Sequence, residues 1–187
     1  MKKVMSTSSF MRMSGPQMTV IVTAMDPDSK DKKAAITLAW TTPLSMKPPL
    51  FGVSIAPNRF SHDIIKRAGV FTVNIPPLDY LKETEWVGRH SGKKVEDKLA
   101  EAGLTTRPGK SSGHTISINE ALASFECKLV DEVTTGDHTL FVGEVVHAEA
   151  ADEFFDDKKG WNFDKARLIY HAGKDVFITN KEGICSK

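Results

Sequence analysis

Two neighbouring runs of alternating side chains constrain this chain more than any other feature. Across residues 121–133, Ala123, Phe125, Cys127 and Leu129 face one way, while Glu126 and Lys128 face the other. Thr135-Gly136-Asp137 then supplies turn chemistry, and residues 138–148 return as a long hairpin partner. A lone two-stranded ribbon of this length cannot cover its own apolar face, so the rest of the chain must build a sheet around it. The first half offers the strands. Residues 17–25 carry Val20, Ile21 and Val22 and end at Asp26-Pro27-Asp28-Ser29. Residues 34–40, 50–56 and 70–75 are expected to be further strands. Pro43, Pro48 and Pro49 are expected to break pairing between them, since proline has no N–H to donate.

Helices are few. Ser61 is placed to cap a short helix through Ala68, with Lys66 and Arg67 in its last turn and Gly69 beyond its end. A second helix is expected over about 79–87 and a third over about 95–102, stopped by Gly103. The segment 152–159 is charged and expected to be solvated, and 166–179 offers one or two closing strands. Many short strands with turns between them and a few helices describe a mainly β fold, a closed antiparallel barrel with helical additions.

The 187 residues suit one domain, with a core over 17–170, an N-terminal arm over 1–16 and a C-terminal tail over 171–187. A net charge of +1 gives no electrostatic case for nucleic acid or an anionic membrane as partner. Ser6 to Ser9 and Arg12 interrupt any apolar signal core, and no run is long enough to span a membrane, so the expected compartment is the cytoplasm. Cys127 reads as a small buried hydrophobe and Cys185 lies near the end; the pair makes no secreted disulfide scaffold.

Familiar motifs are absent. Gly103 to Ser111 superficially resembles a phosphate-binding loop, but five residues separate Gly103 from Gly109 where that motif has four, and a polar helical segment precedes it. No Gly-x-Gly-x-x-Gly follows a strand. His138 and His147 share a strand but are nine residues apart, on opposite faces, and no zinc signature occurs, so no metal is expected.

Five pieces carry a resemblance. They are Ala39-Trp40-Thr41-Thr42-Pro43-Leu44-Ser45; Pro48-Pro49-Leu50; Val53-Ser54-Ile55-Ala56-Pro57-Asn58-Arg59-Phe60-Ser61; Phe71-Thr72-Val73-Asn74-Ile75-Pro76; and Gly136-Asp137-His138-Thr139-Leu140-Phe141-Val142-Gly143-Glu144. In this order they resemble the flavin reductase-like family, and within it the flavoredoxin and archaeal ferric reductase branch. The resemblance implies an antiparallel split β-barrel of Greek-key type, non-covalent FMN, and a homodimer with the flavin near the interface. It implies an oxidoreductase or electron carrier fed by NAD(P)H or a redox protein, with free flavin or ferric iron among possible acceptors. A non-catalytic flavin-storage or interaction module, or an oxidase of the related pyridoxamine phosphate type, would share the barrel.

The same resemblance nominates cofactor-binding residues Ala39, Trp40, Thr41, Thr42, Ala56, Asn58, Arg59, Phe60, Ser61 and Ser91, with His138 as the catalytic candidate. Arg59 could grip a phosphate bidentately, or be a solvated surface residue. Ser61 could present a helix N-terminus to that anion, or merely cap its helix; Asp63 would repel a phosphate unless turned away. Backbone groups of 39–42, leaving a strand, could face a flavin ring, while Trp40 could pack on the ring or, as is commoner for tryptophan, in the core. Ser91-Gly92 could approach the phosphate end, with Lys93 and Lys94 a solvated basic loop. His138 could donate a proton, bind substrate or close the hairpin.

Overall fold

The computed structural model describes residues 2–29 and 31–181; Cys185 lies outside them. Among the described residues, fourteen strands and four α-helices follow one another. Helix α1 (Phe10–Met13) precedes strands β1 (Gln17–Met18), β2 (Val20–Met25), β3 (Lys33–Leu38), β4 (Thr41–Met46) and β5 (Pro49–Ile55). Helix α2 (Phe60–Ala68), strand β6 (Val70–Ile75), and helices α3 (Leu81–Arg89) and α4 (Lys98–Glu101) come next. Strands β7 (Thr106–Pro108), β8 (Ile116–Ile118), β9 (Ala123–Thr135), β10 (His138–Ala150), β11 (Phe155–Asp156), β12 (Gly160–Trp161), β13 (Tyr170–Gly173) and β14 (Val176–Ile178) complete the chain.

Seven strands form one antiparallel sheet in the order β3-β2-β6-β9-β10-β5-β4. Its two end strands, β3 and β4, are consecutive in sequence and joined only by Ala39 and Trp40. A link that short spans only about 10 Å even when extended. The sheet must therefore curl until its ends meet, yet β3 and β4 are not neighbours in the hydrogen-bond order. The result is a barrel with an unzipped seam, the split β-barrel expected from the sequence.

The barrel interior holds Val20, Val22, Phe51, Val53, Phe71, Val73, Cys127 and Phe141, closed at one end by Ile64 and Ile65 of α2. On the outer side, Ile21 and Ala35 pack with Val87, Leu99, Leu104, Ile116 and Ile118. Strand β2 is thus buried on both faces, which explains its unbroken run Val20-Ile21-Val22. Burial pushes the Cys127 thiol up to about 12, with the Glu126 charge adding to the effect, so it is inert packing.

Several local expectations need correction. Pro43 does not break pairing: it sits within edge strand β4 opposite Phe51, next to a bulge before Ser45, where a missing N–H can be tolerated. Residues 17–25 divide into β1, which pairs with β13, and β2. Helix α2 starts one residue before Ser61: Arg59 takes the N-cap position with extended backbone, and Ser61 lies inside the first turn. Its C-terminal end is as expected, with Gly69 in the left-handed region at φ 64°. The third helix is shorter than its pattern, because Asp97 caps it by accepting from the amides of Leu99 and Ala100.

The largest departure is Glu126. It does not share the solvent face with Lys128 but is only 1% exposed. The loop that superficially resembled a phosphate cradle folds over it. Its carboxylate accepts from the amides of Lys110 (2.6 Å) and Ser111 (2.8 Å) and from the hydroxyls of Ser111 and Thr115. Burial pushes this carboxyl's pKa up, but the four donors outweigh it and hold the pKa below the usual value. Gly109 is required here: a Cβ would stand 2.1 Å from Thr115 Oγ1 and 2.8 Å from Glu126 Oε1.

Candidate functional site

The seam opens into a cleft of about 610 Å³. Its walls are the ends of β3 and β5, the starts of α2 and β10, the C-terminal turn of α3, the first residue of α4 and the β13–β14 hairpin. Ala39, Trp40, Ala56, Asn58, Arg59, Phe60, Ser61, Ser91 and His138 all line it. Thr41 and Thr42 do not. They open β4, where pairing with Val53 and Gly52 carries them away from the cleft into a separate hollow with Phe10, Met11 and Leu140. Trp40 stands between the two hollows, lines both, and is 41% exposed rather than part of the core. Its carbonyl accepts the Ser54 amide at 3.0 Å, while the N–H groups of Ala39 and Trp40 donate to no backbone acceptor among the described residues.

One end of the cleft is built for negative charge. The turn Ala56-Pro57-Asn58-Arg59 closes with an Arg59 N–H to Ala56 O bond of 3.0 Å and delivers the chain into α2. The first bond into that helix is His62 N–H to Arg59 O, so the amides of Phe60 and Ser61 have no intrahelical acceptor. The Arg59 side chain makes no ion pair among the described residues. Asp63, one turn along, is solvent-exposed, contacts His62 and does not line the cleft, so it does not oppose an anion there.

Lys98 adds a second cation that the sequence pattern does not single out. Asp97 both caps α4 and pairs with Lys33 at 2.6 Å, pinning the helix to β3. The next side chain, Lys98, is consequently 6% exposed in the cleft wall, and its ammonium donates to Ala35 O at 2.7 Å. Burial, with repulsion from Arg59 second, lowers its pKa to about 8. Gly92 completes this end. A Cβ there would lie 2.2 Å from the Phe60 ring, so only glycine lets the segment after α3 lie on that ring and bring Ser91 to the wall. Lys93 and Lys94 stay outside, exposed.

The cleft also carries imidazoles and the C-terminal hairpin. His138 opens β10, donates Nδ1–H to Asp137 at 2.8 Å and packs its ring 4.9 Å from Trp40. Its Nε2 is thereby left for the cleft. That same bond, first among the causes, lowers the Asp137 pKa. His90 stacks on Trp86 at 4.0 Å. His171, Lys174, Asp175 and Phe177, all from the stretch expected to be tail, line the same wall because β13 pairs with β1 and β14. Among the described residues, no group of three or more His, Cys, Asp or Glu side chains is arranged to hold a metal ion, and no helix is long and apolar enough to cross a membrane.

Comparison with known proteins agrees with this architecture. The profile of the family described as "Flavin reductase like domain" matches residues 11–178. A flavin reductase of Pseudomonas putida is 32% identical over 158 residues, covering 83% of this chain and 80% of that protein. A ferric-chelate reductase (NAD(P)H) of Archaeoglobus fulgidus is 33% identical over 106 residues, 57% of this chain and 61% of that one. Among solved structures, an FMN-binding protein from Thermus thermophilus with bound p-hydroxybenzaldehyde superposes with a TM-score of 0.84 at 27% identity, covering 100% of both chains. Flavoredoxin of Desulfovibrio vulgaris shares the fold with a TM-score of 0.86 at 24% identity, over 100% of this chain and 97% of that one.

Proposed function

Because the chain belongs to the flavin reductase like domain family, we propose that it is an FMN-dependent oxidoreductase. In this reading it passes electrons from NAD(P)H or a redox protein through bound FMN to an acceptor such as free flavin or ferric iron. The observation that carries the reading is the pair Arg59 and Lys98. Two cations that repel one another, one of them buried with a single acceptor for its three N–H donors, border the same cleft beside unpaired helix amides. Among the described residues only the Ala35 carbonyl offsets that arrangement; a dianionic phosphate monoester would stabilise it.

The residues present therefore fit FMN. Arg59, Lys98, Ser61 and the first amides of α2 would hold its phosphate, and Phe60 and Ser91 would border it. The N–H groups of Ala39 and Trp40 would serve the polar edge of the ring, where charge develops on reduction. Bound flavin supplies the hydride and electron chemistry, and the protein supplies binding, orientation and electrostatics. His138, held at Nδ1 by Asp137, presents Nε2 to hold or move a proton or to orient a donor's amide. A single phosphate end and no dinucleotide fingerprint favour FMN over FAD.

The reading includes a homodimer. Phe10, Met13, Leu44 and Met46 are 60%, 64%, 43% and 90% exposed on the N-terminal arm and edge strand β4. Together with Trp40 they make an apolar border along the seam that a second copy would cover. Light scattering giving a single-chain mass at micromolar concentration would count against it. The test of function is anaerobic mixing of FMN-loaded protein with NADH and NADPH. Bleaching of the flavin band supports catalysis; tight FMN binding without bleaching by either nucleotide or by a reduced redox protein supports storage instead.

A further inference from the structure

We infer that Lys174, at the tip of the β13–β14 hairpin, is a specificity residue that receives the 2′-phosphate of NADPH. This rests on the reading of the cleft as a flavin site and adds which nicotinamide nucleotide that site prefers.

The hairpin is aimed rather than loose. Asp175 pairs with Arg89 of α3 at 2.9 Å, clasping the tip to the cleft wall. His171 donates its Nε2–H to Lys174 O at 2.8 Å and packs on Phe177, fixing the carbonyl side of the tip. Lys174 itself has φ 52°, the one described non-glycine residue in the left-handed region. Glycine or asparagine would occupy that position with less strain. A lysine there is held against its own backbone preference, and it lines the cleft.

Charge then separates its role from that of the flavin phosphate. Five acid or basic residues besides Lys98 line the cleft. Glu85 and Asp175 are both taken by Arg89, which leaves Arg59, Lys98 and Lys174 without a carboxylate among the described residues. Arg59 acts on Lys98, so those two share one end. Lys174 comes from a different element, the β13–β14 hairpin that Asp175 ties to Arg89 of α3. The residue after Arg89 is His90, whose ring is backed on one face by Trp86 and exposed at the cleft, a platform on which an adenine can stack. A cation beside an aromatic platform, on elements other than those that present Arg59 and Lys98, suits the adenosine half of a nucleotide bearing an extra phosphate monoester. The same chemistry would also suit the phosphate of a free FMN acceptor.

The experiment uses FMN-loaded protein and compares the parent with Lys174→Gly, which removes the charge and fits the φ of the tip, Lys174→Glu, and Lys174→Arg. Binding of NADP+ and NAD+ is followed by tryptophan fluorescence, and steady-state KM is measured for NADPH and NADH. Lys174→Gly is expected to weaken NADP+ binding and raise KM for NADPH about five- to tenfold, with NADH moving less than twofold; Lys174→Glu exceeds this and Lys174→Arg restores it. Equal changes for the two nucleotides, or none, overturn the inference while leaving the flavin reading intact. A shift confined to free FMN against riboflavin as acceptor overturns it in favour of a second flavin phosphate. A parent protein that binds FMN but neither binds nor oxidises either nucleotide overturns it together with nucleotide-driven catalysis.

Discussion

The pocket around Glu126 and the cleft end around Lys98 are mirror images in electrostatic design. Each buries one ionised side chain, at 1% and 6% exposure. Around Glu126 the fold itself supplies two amides and two hydroxyls, so the carboxylate is satisfied and its pKa stays depressed. Around Lys98 the fold supplies one carbonyl and, in Arg59, a repelling neighbour. A buried charge whose partners are all internal is part of the scaffold. A buried charge short of partners in an open cleft marks a place for a ligand. The loop that most resembled a phosphate cradle in sequence belongs to the first class, and a lysine with no motif belongs to the second.

The largest test of this contrast is Glu126→Leu. Four donors would lose their acceptor in a dry interior, at about 3 kcal/mol or more. Chemical denaturation should show that loss, and stability of the parent should fall as pH drops below about 4.5, where a carboxylate with a depressed folded pKa gives up its contribution. A variant as stable as the parent would mean that the pocket is ordinary packing.

His138→Ala probes a hydrogen-bonded pair of a third kind, in which the carboxylate partner Asp137 is almost wholly in water. The variant should fold and keep FMN. Flavin reduction or reoxidation should slow about 10²-fold if Nε2 moves a proton, and less if it only positions a donor. Stopped-flow traces at the parent's rates in both half-reactions would make His138 a hairpin residue alone. Arg59→Ala should weaken FMN by about one to two decades without unfolding the protein, read by fluorescence titration.

What the sequence made legible follows the same division. Alternation and turn residues identified β6 and the β9–β10 hairpin closely, because those elements are specified by local pattern. Glu126 was misplaced because its covering loop comes from residues 109–115, a tertiary fact that period-two reasoning cannot contain. Trp40 was weighed as core because composition statistics ignore the seam that exposes it. Arg59, Ser61, Ser91 and His138 were legible through resemblance. Lys98 was not, since Lys93, Lys94 and Lys98 look alike until Asp97 caps α4 and pins it to β3. The closing strands expected over 166–179 are β13 and β14, but their place in the cleft wall is not legible, because it depends on pairing with β1, which is two residues long.

The smallest expected effect is the sharpest discriminator. With its pKa lowered to about 8 from 10.5, Lys98 is protonated at neutral pH and loses its proton across the next units. The unfolded chain keeps that proton longer, so between about pH 8 and 10.5 Lys98 makes the apoprotein more stable as pH rises, opposite in origin to the acid limb set by Glu126. FMN binding works the other way. Its phosphate is a dianion above about pH 7 and favours protonated Lys98, so affinity should fall about twofold from pH 7 to 8 and about tenfold by pH 9. Lys98→Met keeps the stem and removes the charge. It should bind FMN more weakly at pH 7, lose the decline above pH 7, and leave the apoprotein as stable as the parent or more so, since an unsatisfied buried cation has been replaced by an apolar chain. FMN titrations of both proteins at pH 7, 8 and 9 check all three points. A decline that persists in Lys98→Met would assign the titrating group elsewhere and remove Lys98 from the phosphate end.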